Sequence, residues 1–149
     1  MVENRRSIAK PGRSLSAPQS DDEALAAYCP DLDQWPHSWM GEPRDLRPGQ
    51  QIVECLKPFL LHLLGTSLSP KTLRKHRDNL WLLGGELITD LNDDPALRRK
   101  PIAKLLLSVL HTDGGPLLSY RSSPDDQTGF DSTCRKLYRF LASHDPRTK

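Results

Sequence analysis

The chain has 149 residues, enough for one domain of ordinary size but not for two full cores, so its length excludes large enzyme folds. Apolar residues make up only 36% of the sequence and charged residues 27%, which predicts a modest core with irregular or disordered flanks. The 13 prolines, nearly twice the usual share of ~5%, point the same way.

The formal net charge of +2 conceals three blocks of unlike charge. Residues 1–20 carry a net charge of +3, residues 21–50 a net charge of −5, and the residues from Gln51 onward a net charge of +4. A basic tail, an acidic linker and a mildly basic body therefore follow one another along the chain. Such asymmetry often accompanies nucleic-acid binding.

The cysteines are odd in number and lie far apart, at Cys29, Cys55 and Cys134, without C-x-x-C spacing. This arrangement predicts reduced thiols in a cytoplasmic protein rather than a disulfide framework or a zinc site. The N-terminus is basic but no apolar stretch follows it, and no later apolar run is long enough for a membrane span. We therefore expect a cytoplasmic location without membrane contact, on the nucleoid if the protein binds DNA.

The first fifty residues hold six prolines and little hydrophobic periodicity. We predict a disordered basic tail over residues 1–24 and an extended acidic arm over residues 25–50. Trp35 and Trp39 stand out in this arm because indole side chains are costly to leave in water. Our main interpretation is that they fasten the arm to the domain, and the alternative is that they bind a partner protein.

Over residues 51–64, apolar side chains recur at the 3.6-residue spacing of a helix. Pro58 should kink this helix or divide it, and Gly65 should end it. A second helix is predicted over residues 70–91, with Ser69 as its N-cap and a proline in its first position. This helix start is the best-marked boundary in the sequence.

The second half of this predicted helix carries apolar residues, Trp81 among them, around most of its circumference, so we expect it to be buried centrally. Gly84 and Gly85 lie in its interior, where each glycine costs about 1 kcal/mol relative to alanine. We expect another helix to pack closely across that point, because such packing would compensate for the cost.

Three more helical segments follow. A short turn is predicted over residues 96–99, a helix begins at Pro101, and a last helix covers residues 128–143. No stretch shows sustained period-two alternation. The sequence therefore predicts an all-α fold, a compact bundle of four to five short helices over residues 51–144.

No catalytic or metal-binding motif is recognisable in the sequence. The five histidines are dispersed without H-x-x-x-H or H-E-x-x-H spacing, and neither a phosphate-binding loop nor a nucleophile elbow is present. Cys134 has no identifiable base beside it and is interpreted as a core thiol. We therefore expect a protein that is not an enzyme and that binds no metal or other cofactor.

A run of nine residues from Ser69 to Arg77 contains four basic residues and no acid. It lies at the predicted start of a helix, where free backbone N–H groups and the positive end of the helix dipole suit phosphate oxygens. A solvated helix face is the alternative interpretation, and two further basic clusters favour DNA over it. The predicted DNA-binding residues of the three clusters are Ser69, Lys71, Thr72, Arg74, Lys75 and Arg77, then Arg98, Arg99 and Lys100, and finally Arg135, Lys136 and Arg139.

Residues 59–83 read F-L-L-H-L-L-G-T-S-L-S-P-K-T-L-R-K-H-R-D-N-L-W-L-L, an apolar helix end, a short loop and a new helix start. This arrangement resembles the N-terminal core-binding, SAM-like domain of tyrosine recombinases and phage integrases, over residues 51–143 as a whole. The resemblance implies a four- or five-helix bundle that clamps one face of duplex DNA. It also implies DNA contacts by the basic residues around the second helix, which are Lys71, Thr72, Arg74, Lys75 and Arg77.

The catalytic domain of those recombinases is not expected here, because only six residues follow Ser143. Tyr28, Tyr120 and Tyr138 lack the Arg, Lys and His-x-x-Arg partners of a recombinase nucleophile. The resemblance therefore implies a non-catalytic accessory protein, similar to the small proteins encoded beside tyrosine recombinases in mobile elements and genomic islands. Its expected partners are duplex DNA, the recombinase, or both.

Two other functions stay open from the sequence. The acidic arm with Trp35 and Trp39 fits a protein-interaction module that docks on a partner. The short turn over residues 65–69 between two helices is compatible with a helix-turn-helix regulator or antitoxin. Neither an oligomeric state nor a DNA sequence is predicted.

Overall fold

The computed structural model describes residues 17–118 and 123–143, with side chains from residue 21 onward. Within these residues the chain forms no β-strand, and short 3-10 helices cover Leu32–Gln34, Pro43–Asp45 and Pro95–Arg99. The α-helices are α1 (Ala17–Tyr28), α2 (Trp35–Trp39), α3 (Leu46–Leu64), α4 (Pro70–Asp93), α5 (Ile102–Val109) and α6 (Pro124–Ser143). The predicted all-α bundle is confirmed, with six helices in the described residues rather than four or five.

The long helices α3 and α4 form the centre of the bundle. α3 contacts α1, α2, α4 and α5, whereas α6 packs along α4. Fully burying one Leu, Ile or Phe side chain contributes roughly 1.5–3 kcal/mol, so the shared core is the main source of stability. Its most buried apolar side chains are Ile52, Leu56, Phe59, Leu60, Leu63, Leu80, Leu83, Leu91, Leu106, Phe130 and Leu137.

The start of α4 follows the prediction closely. Ser69 is the N-cap, and its Oγ accepts a hydrogen bond from the Thr72 backbone N–H at 3.2 Å. Pro70 occupies the first helical position, where a backbone N–H would have no helical partner in any case. This cap fixes the direction in which α4 leaves the α3–α4 loop, and it therefore fixes where the basic side chains of its first turns lie.

Pro58 lies inside α3 without dividing it, so the predicted division is wrong. Proline removes the helical hydrogen bond to the carbonyl of Glu54, one turn earlier. Both residues are exposed, so water can donate a hydrogen bond to the Glu54 carbonyl instead. The apolar side chains on the opposite face of α3 remain buried and keep the helix continuous.

The predicted extended arm over residues 25–50 is wrong, because these residues are largely helical. The end of the predicted disordered tail is helical too, since α1 covers it, while residues 1–16 lie outside the described residues. Prolines explain the difference. Pro36, Pro43 and Pro48 each lie in the first turn of a helix, where proline is tolerated, rather than in extended chain.

Trp39 lies over Gly84 and packs α2 directly onto α4. A Cβ built on Gly84 would lie 2.1 Å from the Trp39 ring, so only glycine fits there. The Trp39 indole N–H also donates a hydrogen bond to the Trp81 carbonyl oxygen at 2.9 Å. The close helix packing that the glycine pair predicts is therefore confirmed.

Trp35 and Trp39 are 3% and 9% exposed, which contradicts the alternative that they bind a partner. Their ring centroids lie 5.8 Å apart, and both indoles belong to the core that fastens the N-terminal helices to the bundle. Trp81 was predicted to be buried at the centre of the bundle, but its side chain is 39% exposed. Its indole N–H donates a hydrogen bond to the Ser38 hydroxyl at 2.8 Å.

Candidate nucleic-acid interface

The first two turns of α4 present three basic side chains to solvent. Lys71, Arg74 and Lys75 are exposed, and none of them forms an ion pair with a carboxylate in the described part of the chain. Ser69 and Thr72, also predicted to bind DNA, share a hydrogen bond between their hydroxyl groups at 3.1 Å. The start of α4 therefore offers three unpaired cations beside the positive end of its helix dipole.

α6 runs antiparallel to α4 and brings another predicted cluster to the same place. The Asn79 amide donates hydrogen bonds to the Gly129 carbonyl at 3.2 Å and to the Thr133 hydroxyl at 2.9 Å. His76 Nδ1 lies 2.6 Å from the same hydroxyl. Further along α6, Lys136 lies close enough to lower the pKa of His76, in addition to the larger effect of burial. The first and third predicted clusters are therefore neighbours.

Lys136 and Arg139 line a groove of about 330 Å³ between the end of α3, the α3–α4 loop and α6. Its walls include the Phe59 ring and the His62 and Phe140 rings, whose centroids lie 5.0 Å apart. His62 was absent from the predicted site, because no sequence pattern links it to α6. We define the basic end of the bundle as Lys71, Arg74, Lys75, Lys136 and Arg139.

The charged side chains of α4 are placed unfavourably with respect to its helix dipole. The first turn contains no acid and the last turn no base. Basic residues instead lie near the positive N-terminal end, and Asp90 and Asp93 lie near the negative C-terminal end. Each exposed charge placed in this way costs a helix about 0.3–1 kcal/mol. Helix stability therefore does not explain the arrangement, whereas the binding of an anion at the N-terminal end would.

Arg77 fastens two helices together, although the resemblance implies a DNA contact. Its guanidinium donates hydrogen bonds to the Tyr28 carbonyl at 3.0 Å and to Asp78 at 3.1 Å, and 25% of its side chain is exposed. The Tyr28 hydroxyl in turn donates a hydrogen bond to the Leu73 carbonyl. Arg77 therefore joins α1 to α4, and it does not belong to the basic end.

Arg98 is also engaged inside the protein, which contradicts its prediction as a DNA contact. Its guanidinium donates a hydrogen bond to Asp45 at 2.7 Å, and the two side chains are 14% and 0% exposed. Burial acts to raise the pKa of Asp45, but hydrogen bonds from Arg98, from Asn92 and from two backbone N–H groups lower it to about 2. Arg98 therefore joins the turn before α3 to the end of α4.

The remaining predicted residues lie apart from the basic end. Arg99 and Lys100 are exposed and follow the C-terminal end of α4, a helix of 24 residues that is about 36 Å long. Arg135 donates a hydrogen bond to the Asp113 carbonyl at 3.2 Å and so ties α6 to the loop after α5. The three predicted clusters thus reduce to one shared surface on α4 and α6 and one separate patch.

No group of three or more His, Cys, Asp or Glu side chains in the described residues is arranged to hold a metal ion. Cys134 is fully buried, and burial together with the nearby Asp131 charge raises its pKa to about 12, so the predicted core thiol is confirmed. Within the same ranges, no helix combines the length and the apolar character needed to cross a membrane.

No protein-family model matches this chain, and comparison with curated proteins and with solved structures also finds no match. The resemblance to recombinase core-binding domains therefore rests on the sequence arrangement around residues 59–83. In the structure, which is an all-α bundle, that segment forms the end of α3, a short loop and the capped, basic start of α4.

Proposed function

We propose that this protein binds duplex DNA through the basic end, as a non-catalytic accessory protein of a tyrosine-recombinase or mobile-element system. The observation that carries the proposal is the convergence of five exposed or partly exposed basic side chains from two antiparallel helices. None of the five pairs with a carboxylate in the described residues. Duplex DNA, with one negative charge per about 1.7 Å of its axis, is the polyanion that such a surface fits.

The basic end suits the phosphate backbone better than the base edges. Lysine and arginine side chains neutralise phosphates, and the positive end of the α4 dipole adds to this attraction, although the Thr72 and Leu73 N–H groups in its first turn are bonded to Ser69. Asn79 has the type of side chain that reads adenine, but its amide is bonded to α6. We therefore expect an affinity that depends strongly on salt and weakly on DNA sequence.

The proposed accessory role specifies where the protein would bind DNA. The resemblance implies DNA contacts by Lys71, Thr72, Arg74, Lys75 and Arg77, and three of the four basic residues in this set belong to the basic end. A protein with this role would lie on recombination-site DNA in the cytoplasm, beside the recombinase, and would leave strand cleavage to it.

Fluorescence anisotropy with a labelled duplex of about 30 base pairs tests the proposal. The triple variant Lys71→Ala, Arg74→Ala, Lys75→Ala should bind DNA about a hundredfold more weakly at about 0.1 M salt, because it loses three phosphate contacts and the counterion release that accompanies them. Circular dichroism establishes whether the variant keeps the helical content of the wild type.

The matched control removes three exposed bases that follow α4 in the sequence, Arg99 and Lys100 at the end of the 3-10 helix and Lys104 in α5, in the triple variant Arg99→Ala, Lys100→Ala, Lys104→Ala. It changes the net charge by the same amount but leaves the basic end intact, so DNA affinity should fall by no more than about threefold through long-range electrostatics. Equal losses in the two variants would refute the basic end as the DNA surface. A wild-type protein that does not bind DNA would refute the function itself.

A further inference from the structure

The outward face of α4 carries side chains that line up along the helix. At about 100° per residue, five positions lie within about 40° of one another on this face. Each of the five is exposed or partly exposed, so the face is open to a partner. From the N-terminal to the C-terminal end these residues are Lys71, Lys75, Leu82, Thr89 and Asp93.

The positions of these residues are symmetric about Leu82, and the charges at the two ends of the face are opposite in sign. Lys71 and Asp93 lie at equal sequence distances on either side of it, and so do Lys75 and Thr89. The face therefore begins basic, is aliphatic in its middle and ends acidic. A second copy turned by 180° about an axis at Leu82 would place its acidic half opposite the basic half of the first copy. Such a surface is self-complementary, as a two-fold interface requires.

Apolar contact area lies beside the middle of the face, because Trp81 directly precedes Leu82 in the helix. Trp81 is 39% exposed, and grooves of about 560 Å³ and 550 Å³ lie on its two sides, each lined in part by Trp81 and Leu82. Gly85 lines the second groove and has no side chain to block the approach of another helix. Tryptophan at the centre of an apolar surface is the residue type that most often dominates binding energy at interfaces.

We propose that two copies of this chain pair through α4, with the helices antiparallel and a two-fold axis at Leu82. In this pairing Lys71 of each copy faces Asp93 of the other copy, and Trp81 of each copy packs into the groove beside Gly85 of the other. The dipoles of two antiparallel helices attract each other, and each copy brings cations to the negative end of the other copy's α4. The interface thus offsets the unfavourable charge placement within α4.

The other charges near the face are consistent with this pairing. Asp90 is partly buried, and burial together with the charges of Glu86 and Asp93 raises its pKa. Lysine side chains from a second copy would reduce that repulsion between carboxylates. Asp78 would approach the acidic half of the second copy, but its charge is already paired with Arg77 at 3.1 Å.

The pairing goes beyond the proposed function and does not depend on it, because it can be measured without DNA. The two are linked, however, since Lys71 and Lys75 belong both to the basic end and to the pairing face. The dimer and the DNA complex therefore compete for the same lysines. Added DNA should shift dimers toward DNA-bound monomers.

Exchanging the charges of Lys71 and Asp93 tests the pairing. Sedimentation velocity of the full chain without DNA, over a range of concentrations, measures the dimer affinity. Lys71→Asp and Asp93→Lys each place two pairs of like charges in the symmetric interface, so each should weaken the dimer by about tenfold. The double variant restores opposite charges in reverse order and should recover the wild-type affinity to within about threefold. Both substitutions introduce a charge that the dipole of α4 favours, so we expect the variants to fold.

DNA binding distinguishes failure of the pairing from failure of the proposed function. Asp93→Lys should weaken the dimer and keep its DNA affinity, whereas the double variant should regain the dimer and bind DNA more weakly than the wild type, because Lys71 is missing from the basic end. The pairing would be overturned by a wild-type chain that stays monomeric up to about 100 µM, a concentration at which weak specific dimers form. It would also be overturned by a double variant that is no more dimeric than either single variant.

Discussion

His76 is buried in its neutral form where α4 meets α6. Its side chain is 5% exposed, Nδ1 shares a hydrogen bond with the Thr133 hydroxyl, and Nε2 has no hydrogen-bond partner among the described residues. Burial, followed by the nearby Lys136 ammonium, lowers the pKa of His76 from its usual value of about 6.5. A proton on this ring would therefore destabilise the folded protein.

We predict that the free energy of unfolding falls as the pH is lowered through about 6.5, because the unfolded chain then binds a proton that folded His76 does not. The decrease should reach up to about 1.4 kcal/mol per pH unit until the lowered pKa of the folded state is reached. Urea unfolding between about pH 7.5 and pH 5.5 measures it, and His76→Gln should remove this component. Parallel pH curves for the wild type and the variant would contradict the prediction.

Arg77 and Arg98 show why basic residues could not be sorted by function from the sequence. Arg77 lies in the same basic run as Lys71, and Arg98 lies in another basic run. Their partners are distant in sequence, since Arg77 donates to Tyr28 49 residues away and Arg98 to Asp45 53 residues away. A local pattern predicts that a residue is charged and lies on a helix. Only the fold determines whether a hydrogen-bond acceptor from a distant part of the chain lies beside it.

Among the helices, the contact between α2 and α4 can be tested at two adjacent glycines. A Cβ on Gly84 would lie 2.1 Å from the Trp39 ring, whereas a Cβ on Gly85 would meet that ring at an ordinary 3.5 Å. Gly84→Ala should lower the free energy of unfolding by about 2 kcal/mol, because α2 must move away. Gly85→Ala should raise it by about 0.5–1 kcal/mol through helix propensity. Urea denaturation measures both, and similar effects at the two positions would show that Trp39 does not lie over Gly84.

The helices that could be predicted are those with local signals. Apolar periodicity and the Ser69 cap predicted most of α3 and the start of α4, and the last helix was predicted within a few residues of α6. α2 has only five residues, too few for a periodic pattern, and the prolines in and around it suggested extended chain. The antiparallel packing of α6 on α4 depends on hydrogen bonds between residues far apart in sequence, so the merging of two basic clusters could not be predicted.

Across the whole molecule, α4 and α6 are antiparallel, yet both carry their basic residues toward the same end of the bundle. In α6 this placement agrees with the helix dipole, because Asp125 and Asp126 lie in its first turn and the basic residues follow later. In α4 the same placement opposes the dipole. Helix stability does not explain this placement in α4, and the proposed binding of a polyanion at the shared positive surface would offset its cost.

The most direct measurement is the salt dependence of DNA affinity, because each phosphate contact adds about 0.9 to the slope of log affinity against log salt concentration. Five contacting side chains predict a slope of about −4.5 for the wild type. In the triple variant of Lys71, Arg74 and Lys75, the magnitude of the slope should fall by about 3. An equal slope in both proteins, or a wild-type affinity that does not change with salt, would contradict DNA binding through the basic end.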